Sequence, residues 1–264
     1  MYLEKKDVSL YYEVKGTGEP LLLIHGIVVD SGFYDRTSAL LAEQFKVITY
    51  DRRGNSRSKL KGEKFFSMDT QIEDILDLLN ELGIRQTYIV GCSAGAVIGE
   101  RFLERYPNRV RHLIMYEPAM FKLMENEPGL REWIAEIHHL VETHKFSNAI
   151  LRFTEQMPFP DPRSPKKEAE VSLREMGNHE YALSCEFPGL VAYEPDLKKI
   201  KEQAGKITLA AGEKSGDTIY ARAASRMAIK TGKKEIYYPG SHNLPYDLPL
   251  EFAICILGTL VLKK

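Results

Sequence analysis

The sequence predicts an α/β protein whose mostly parallel sheet is covered by helices on both faces and interrupted by one helical insertion. Three observations carry that prediction. Short runs that are apolar throughout, such as Leu21-Leu22-Leu23-Ile24, alternate with amphipathic segments, and strands buried on both faces belong to parallel sheets with helices above and below. The alternation stops after Tyr116 and resumes at Ile207. Between them lie helical stretches and prolines with no convincing strand.

Taken in order, Val8 to Val14 reads as a strand, Gly16-Thr17-Gly18 as a turn, and Leu21 to Ile24 as an apolar strand ending at His25-Gly26. Tyr34 to Phe45 has helical spacing, with Leu40, Leu41 and Phe45 on one face, and Lys46 to Tyr50 is the next strand. Ser67 is placed to cap a helix reaching about Leu82, whose stripe is Ile72, Ile75, Leu76, Leu79 and Leu82. Thr87 to Val90 is β-branched and aromatic, Ala96 to Arg105 is helical, and Val110 to Tyr116 is a further strand.

In the insertion, Leu130, Trp133, Ile134, Ile137 and Val141 form a helical stripe, Phe146 to Phe153 a second helix and Lys166 to Met176 a third. Pro158, Pro160, Pro162 and Pro165 mark a loop between the last two. The rhythm then returns with strand Ile207 to Ala211, a helix near Ile219 to Lys230, strand Glu235 to Tyr238 and a last helix Leu250 to Leu262. The expected organisation is a core of residues 1–118 and 196–264 with a helical cap at 119–195.

Composition excludes several classes of function. The 264 residues carry 36 Lys and Arg against 37 Asp and Glu, a net charge of -1, which gives no reason to expect nucleic acid or an anionic membrane as partner. The first residues are charged with no apolar run behind them, so no signal peptide is visible. Three widely spaced cysteines, Cys92, Cys185 and Cys255, make a poor disulfide framework. Cytoplasm is the expected compartment. The oligomeric state stays open, a homodimer being one option.

Gly91-Cys92-Ser93-Ala94-Gly95 lies between a strand and a helix. That setting makes Gly-x-Ser-x-Gly a nucleophile elbow, in which a sharp turn pushes the serine out at the top of the sheet and leaves no room for side chains at the two glycines. A serine hydroxyl needs an adjacent base and a group that orients the base. Of seven histidines, only His242 sits in a loop just past the last strand, at the sheet edge where Ser93 is presented. His138, His139 and His144 lack partners at zinc spacing and read as a solvated helix face. Cys92 reads as a small buried residue whose side chain points away from Ser93.

On His25-Gly26, Asp51-Arg52-Arg53-Gly54-Asn55-Ser56, the elbow and the late His242, the chain resembles the α/β-hydrolase fold family over nearly its full length. The resemblance implies an oxyanion hole from the backbone amides of Ile27 and Ala94, and structural roles for His25 and the Asp51 loop. Most of the family places an aspartate after the strand that precedes the histidine strand. Here Gly212-Glu213-Lys214-Ser215-Gly216-Asp217 has serine at that place, leaving Asp217 on a shifted loop, or Glu213, as options. Certain haloalkane dehalogenases and the zearalenone-type lactonases instead place a glutamate after the strand that follows the nucleophile helix, where this chain has Met115-Tyr116-Glu117-Pro118. The elbow and this segment are similar to those lactonases, and Glu117 is preferred over Asp217 as the acid.

The resemblance implies a serine hydrolase that cleaves a carboxylic ester or lactone of a small, hydrophobic molecule through an acyl-enzyme. Its catalytic residues would be Ser93, His242 and Glu117, with no metal or organic cofactor. A ligand-binding receptor of the same fold with little turnover, or another triad reaction such as carbon–carbon bond hydrolysis or perhydrolysis, is the alternative. Phe121, Leu123, Met124, Trp133, Phe146, Phe153 and Phe159 give the insertion more apolar mass than a solvated hairpin requires. Some are expected in the core and the rest over Ser93.

Overall fold

The computed structural model describes residues 1–261. Its strands are β1 (Tyr2–Glu4), β2 (Val8–Lys15), β3 (Glu19–Ile24), β4 (Phe45–Tyr50), β5 (Lys59–Leu60), β6 (Thr87–Cys92), β7 (Val110–Tyr116), β8 (Ile207–Gly212) and β9 (Ile236–Tyr238). They form one sheet in the order β1-β2-β4-β3-β6-β7-β8-β9, with β5 pairing β2. All pairs from β4 to β9 are parallel, and β2 is antiparallel to its neighbours.

The period of two along each strand divides the core. Leu22 and Ile24 of β3 join Ile89 of β6 and Leu113 of β7 in one apolar cluster, whereas Leu21 and Leu23 join Val90 and Ile114 in another. The first cluster is closed by α2 (Met68–Glu81), α3 (Ala94–Arg105) and α10 (Ile219–Thr231), the second by α1 (Asp35–Leu41) and α12 (Pro249–Val261). Fully burying such a side chain stabilises by about 1.5–3 kcal/mol relative to leaving it in water.

The region between β7 and β8 holds α4 (Leu130–Glu142), α5 (Phe146–Thr154), α6 (Ala169–Met176), α7 (His179–Tyr181), α8 (Phe187–Ala192) and α9 (Leu197–Glu202), with no strand. A π-helical turn, Ala182–Glu186, joins α7 to α8. The short α11 (Leu244–Asp247) follows β9.

Local differences from the sequence reading have local causes. Helix α1 ends at Leu41, and Phe45 opens β4, where it is buried with Val47 and Tyr88. The Ser67 side chain makes no capping bond to α2; its carbonyl accepts from Gln71 N and Thr70 Oγ1 instead. The sequence reading missed β1 and β5, which are very short edge strands. Leu262 lies outside the described residues.

Candidate active site

Ser93 follows β6 with φ 56° and ψ -121°, a conformation an ordinary residue rarely adopts, and holding it costs on the order of 1–3 kcal/mol. The neighbouring glycines show why the turn can be so tight. A Cβ on Gly91 would lie 2.3 Å from the Gly95 carbonyl oxygen, and one on Gly95 would lie 2.0 Å from the Ile24 oxygen. Any side chain at either position would force α3 away from the sheet. A Cβ on Gly26 would sit 3.2 Å from Ser93 Cβ, so the loop carrying Ile27 runs directly beside the serine. Ala94 opens α3.

Sheet register brings Glu117 alongside. Cys92 pairs with Tyr116, so the next residues, Ser93 and Glu117, leave adjacent strands together. Ser93 N donates to Tyr116 O at 3.0 Å, and Glu117 N to Ala210 O at 2.9 Å. Glu117 has φ 44° and is wholly buried. Its Oε1 accepts from Gly212 N at 2.8 Å and from the Ser215 hydroxyl, and its Oε2 lies 2.7 Å from His242 Nδ1. Every oxygen of this buried carboxylate has a partner, which a dry site requires.

His242 is held from several sides. The Tyr220 ring stacks on the imidazole with centroids 4.4 Å apart, and Tyr116 Oη donates to Ser241 O at 2.6 Å. With Nδ1 committed to Glu117, Nε2 is the nitrogen left to serve a reacting group. Cys92 is buried, its thiol pKa pushed up by burial, and its Sγ lies 3.8 Å from the His242 carbonyl.

The other acid options lie elsewhere. The Asp217 side chain is 87% exposed and faces Arg222 at 3.7 Å, and Glu213 is exposed. Ser215, at the family's usual acid position, is buried and donates to Glu117. His25 is buried, and desolvation lowers its pKa to about 3. Its Nε2 accepts from Arg52 N at 2.9 Å. Asp51 accepts from Ser31 and Arg57.

Ser93 and His242 line a cavity of about 1320 Å³ together with Gly26 and Ile27, and Leu151, Met157, Phe159 and Pro160 face them from the insertion. The apolar mass of the insertion is divided unequally. Phe121, Trp133 and Phe153 pack with Phe187 in an aromatic cluster of the core. Phe159, 96% exposed, is the one of the seven insertion residues singled out from the sequence that lines the cavity. No group of three His, Cys, Asp or Glu among the described residues could hold a metal ion.

Tyr220 and Ser215 were missed as supports of the site. Helical spacing explains Tyr220 as core, and no local signal separates it from the other apolar residues of α10. The absence of aspartate at 215 was a signal, but it identified a missing acid and not a replacement donor.

The sequence model of the alpha/beta hydrolase fold matches residues 19–154. An uncharacterized hydrolase, YraK, of Bacillus subtilis is 28% identical over 247 residues, covering 91% of this chain and 88% of its own. A zearalenone hydrolase of Bionectria ochroleuca is 31% identical over 114 residues, 42% of this chain and 43% of that protein. A solved structure from work on carboxylesterases of the thaumarchaeon Nitrososphaera gargenis superimposes with a TM-score of 0.77 at 20% identity, covering 100% of this chain and 98% of that one. With the family match spanning more than half of its length, the chain belongs to the alpha/beta hydrolase fold family.

Proposed function

We propose that the protein is a serine hydrolase that cleaves a carboxylic ester or lactone of a small, hydrophobic molecule through an acyl-enzyme. The observation that carries this reading is the buried 2.7 Å contact between His242 Nδ1 and Glu117 Oε2 beside a strained, cavity-facing Ser93. Ser93 Oγ attacks the carbonyl carbon while His242 Nε2 takes its proton, and Glu117 holds the tautomer and faces the imidazolium. The amides of Ile27 and Ala94 receive the oxyanion. The tetrahedral intermediate expels the alcohol, which leaves with the proton from His242, and water repeats the sequence on the acyl-enzyme.

The hydrolase and carboxylesterase relatives support the reaction class. Leu151, Met157 and Phe159 support an apolar substrate, and residues 119–195 act as a cap over the site. We place the protein in the cytoplasm on the strength of its three widely spaced, free cysteines.

A fluorophosphonate is expected to label Ser93, and Ser93→Ala to abolish both labelling and p-nitrophenyl ester turnover, since loss of a triad nucleophile costs about a millionfold. Turnover retained within a few-fold in that variant would refute the reading.

A further inference from the structure

The Gly26–Ile27 peptide is gripped from its carbonyl side. Gly26 O accepts from Arg52 Nη2 at 2.9 Å and lies 2.7 Å from His25 Nδ1. His25 Nε2 already accepts the Arg52 amide, so the ring carries its proton on Nδ1 and donates it to Gly26 O. Arg52 Nε also donates to His25 O at 3.1 Å. In a planar trans peptide the C=O and N–H point in opposite directions. Fixing Gly26 O therefore fixes the direction of the Ile27 N–H.

Arg52 is itself held from the insertion. It is wholly buried, and Glu186, also wholly buried, takes it in a two-pronged pair at 2.6 and 3.0 Å. Asn55 Nδ2 donates to the same carboxylate at 3.1 Å. Glu186 closes the π-helical turn, a rare geometry that often marks functional positions. Planar, bidentate pairing leaves the guanidinium little rotational freedom.

We propose that Arg52 and Glu186 are positioning residues that orient and polarise the Ile27 amide as an oxyanion donor, coupling the helical insertion to the catalytic site. The cation bonded to Gly26 O draws electron density along the amide and strengthens its N–H as a donor. Glu186 keeps the guanidinium in register, so the donor is set only while the insertion is seated on the core. This rests on the serine-hydrolase reading, because the Ile27 N–H has that task only if an oxyanion forms.

The test uses Glu186→Gln, Glu186→Asp and Arg52→Lys with a p-nitrophenyl ester labelled with carbon-13 at its carbonyl. Turnover and the difference infrared band of the acyl-enzyme carbonyl are both read. The expected result for Glu186→Gln and Arg52→Lys is a loss of about tenfold or more in kcat, smaller than the roughly hundred- to thousandfold cost of deleting an oxyanion donor because the amide is misdirected and not removed. KM should be nearly unchanged, the carbonyl band should shift to higher frequency, and Glu186→Asp should recover part of both effects. A purely structural role would lower the melting temperature without moving the band.

Glu186→Gln or Arg52→Lys folded with an unshifted band and wild-type kcat overturns the proposal, and if both fail to fold, an unshifted band and wild-type kcat in Glu186→Asp overturn it. Loss of all three folds would show a scaffold role and overturn it as well. A wild type that forms no acyl-enzyme would overturn both this proposal and the serine-hydrolase reading, whereas a normal wild type with unshifted variants overturns this proposal alone.

Discussion

The loops that follow β7 and β8 leave neighbouring strands at one sheet edge, and they present opposite chemistry. The β7 loop brings a carboxylate, Glu117, whose Oε2 meets His242. The end of β8 and its loop bring donors, Gly212 N and the Ser215 hydroxyl, both directed at Glu117 Oε1. The difference shows that an imidazole needs a carboxylate within reach of Nδ1, not a carboxylate on a particular strand. Once Glu117 fills that place, a second acid at 215 would set two like charges in a water-poor site, which disfavours ionisation of both. A serine there turns a clash into a hydrogen bond.

The most damaging way to break this arrangement is to remove the charge at 117 alone. Glu117→Gln is expected to lower ester turnover by at least about a hundredfold, since a mis-set tautomer costs up to about ten-thousandfold elsewhere. In the double variant Glu117→Ala with Ser215→Asp, a recovery of tenfold or more over Glu117→Ala would show that either loop can host the acid, and steady-state kinetics on one p-nitrophenyl ester would measure both. Ser215→Ala removes one donor from Glu117 while keeping the charge. A loss of about three- to tenfold in kcat is expected, in line with the net worth of one ordinary hydrogen bond, about 0.5–1.5 kcal/mol. Asp217→Asn, at an exposed surface position, should stay within about twofold.

A control comes from a different buried carboxylate. Glu100 of α3 is fully buried and accepts from Tyr193 Oη at 2.8 Å, while its Oε1 has no partner among the described residues. Burial raises its pKa to about 8 from 4.5. Between those values the native state keeps a proton that the unfolded chain releases, so stability falls as pH rises, by up to about 1.4 kcal/mol per unit. Glu100→Gln should flatten that slope in thermal melts between pH 5 and pH 8 and leave turnover unchanged. An unaltered slope would contradict the assignment. Burial alone thus does not define a site carboxylate; its donors do.

Much of this was legible in the chain because the signals were local. The elbow needs two glycines whose absent side chains can be counted, and the alternation of apolar strands with helices fixes which ends converge. Glu117 was legible through the resemblance to the lactonases and through its place just after β7, on the sheet edge of Ser93. The partition of the insertion was not. Phe121 and Phe159 look alike in sequence, yet one packs against Trp133 and the other stands exposed at the cavity, a choice made by tertiary contacts. Arg52 and Glu186 are 134 residues apart, and no periodicity links them.

The central claim, that the loop after β7 supplies the partner of the proposed catalytic imidazole, is tested most directly by proton NMR of the His242 ring. The wild type is expected to show a strongly deshielded Nδ1 proton at low pH that disappears in Glu117→Gln and persists in Asp217→Asn. Persistence in Glu117→Gln together with loss in Asp217→Asn would contradict it.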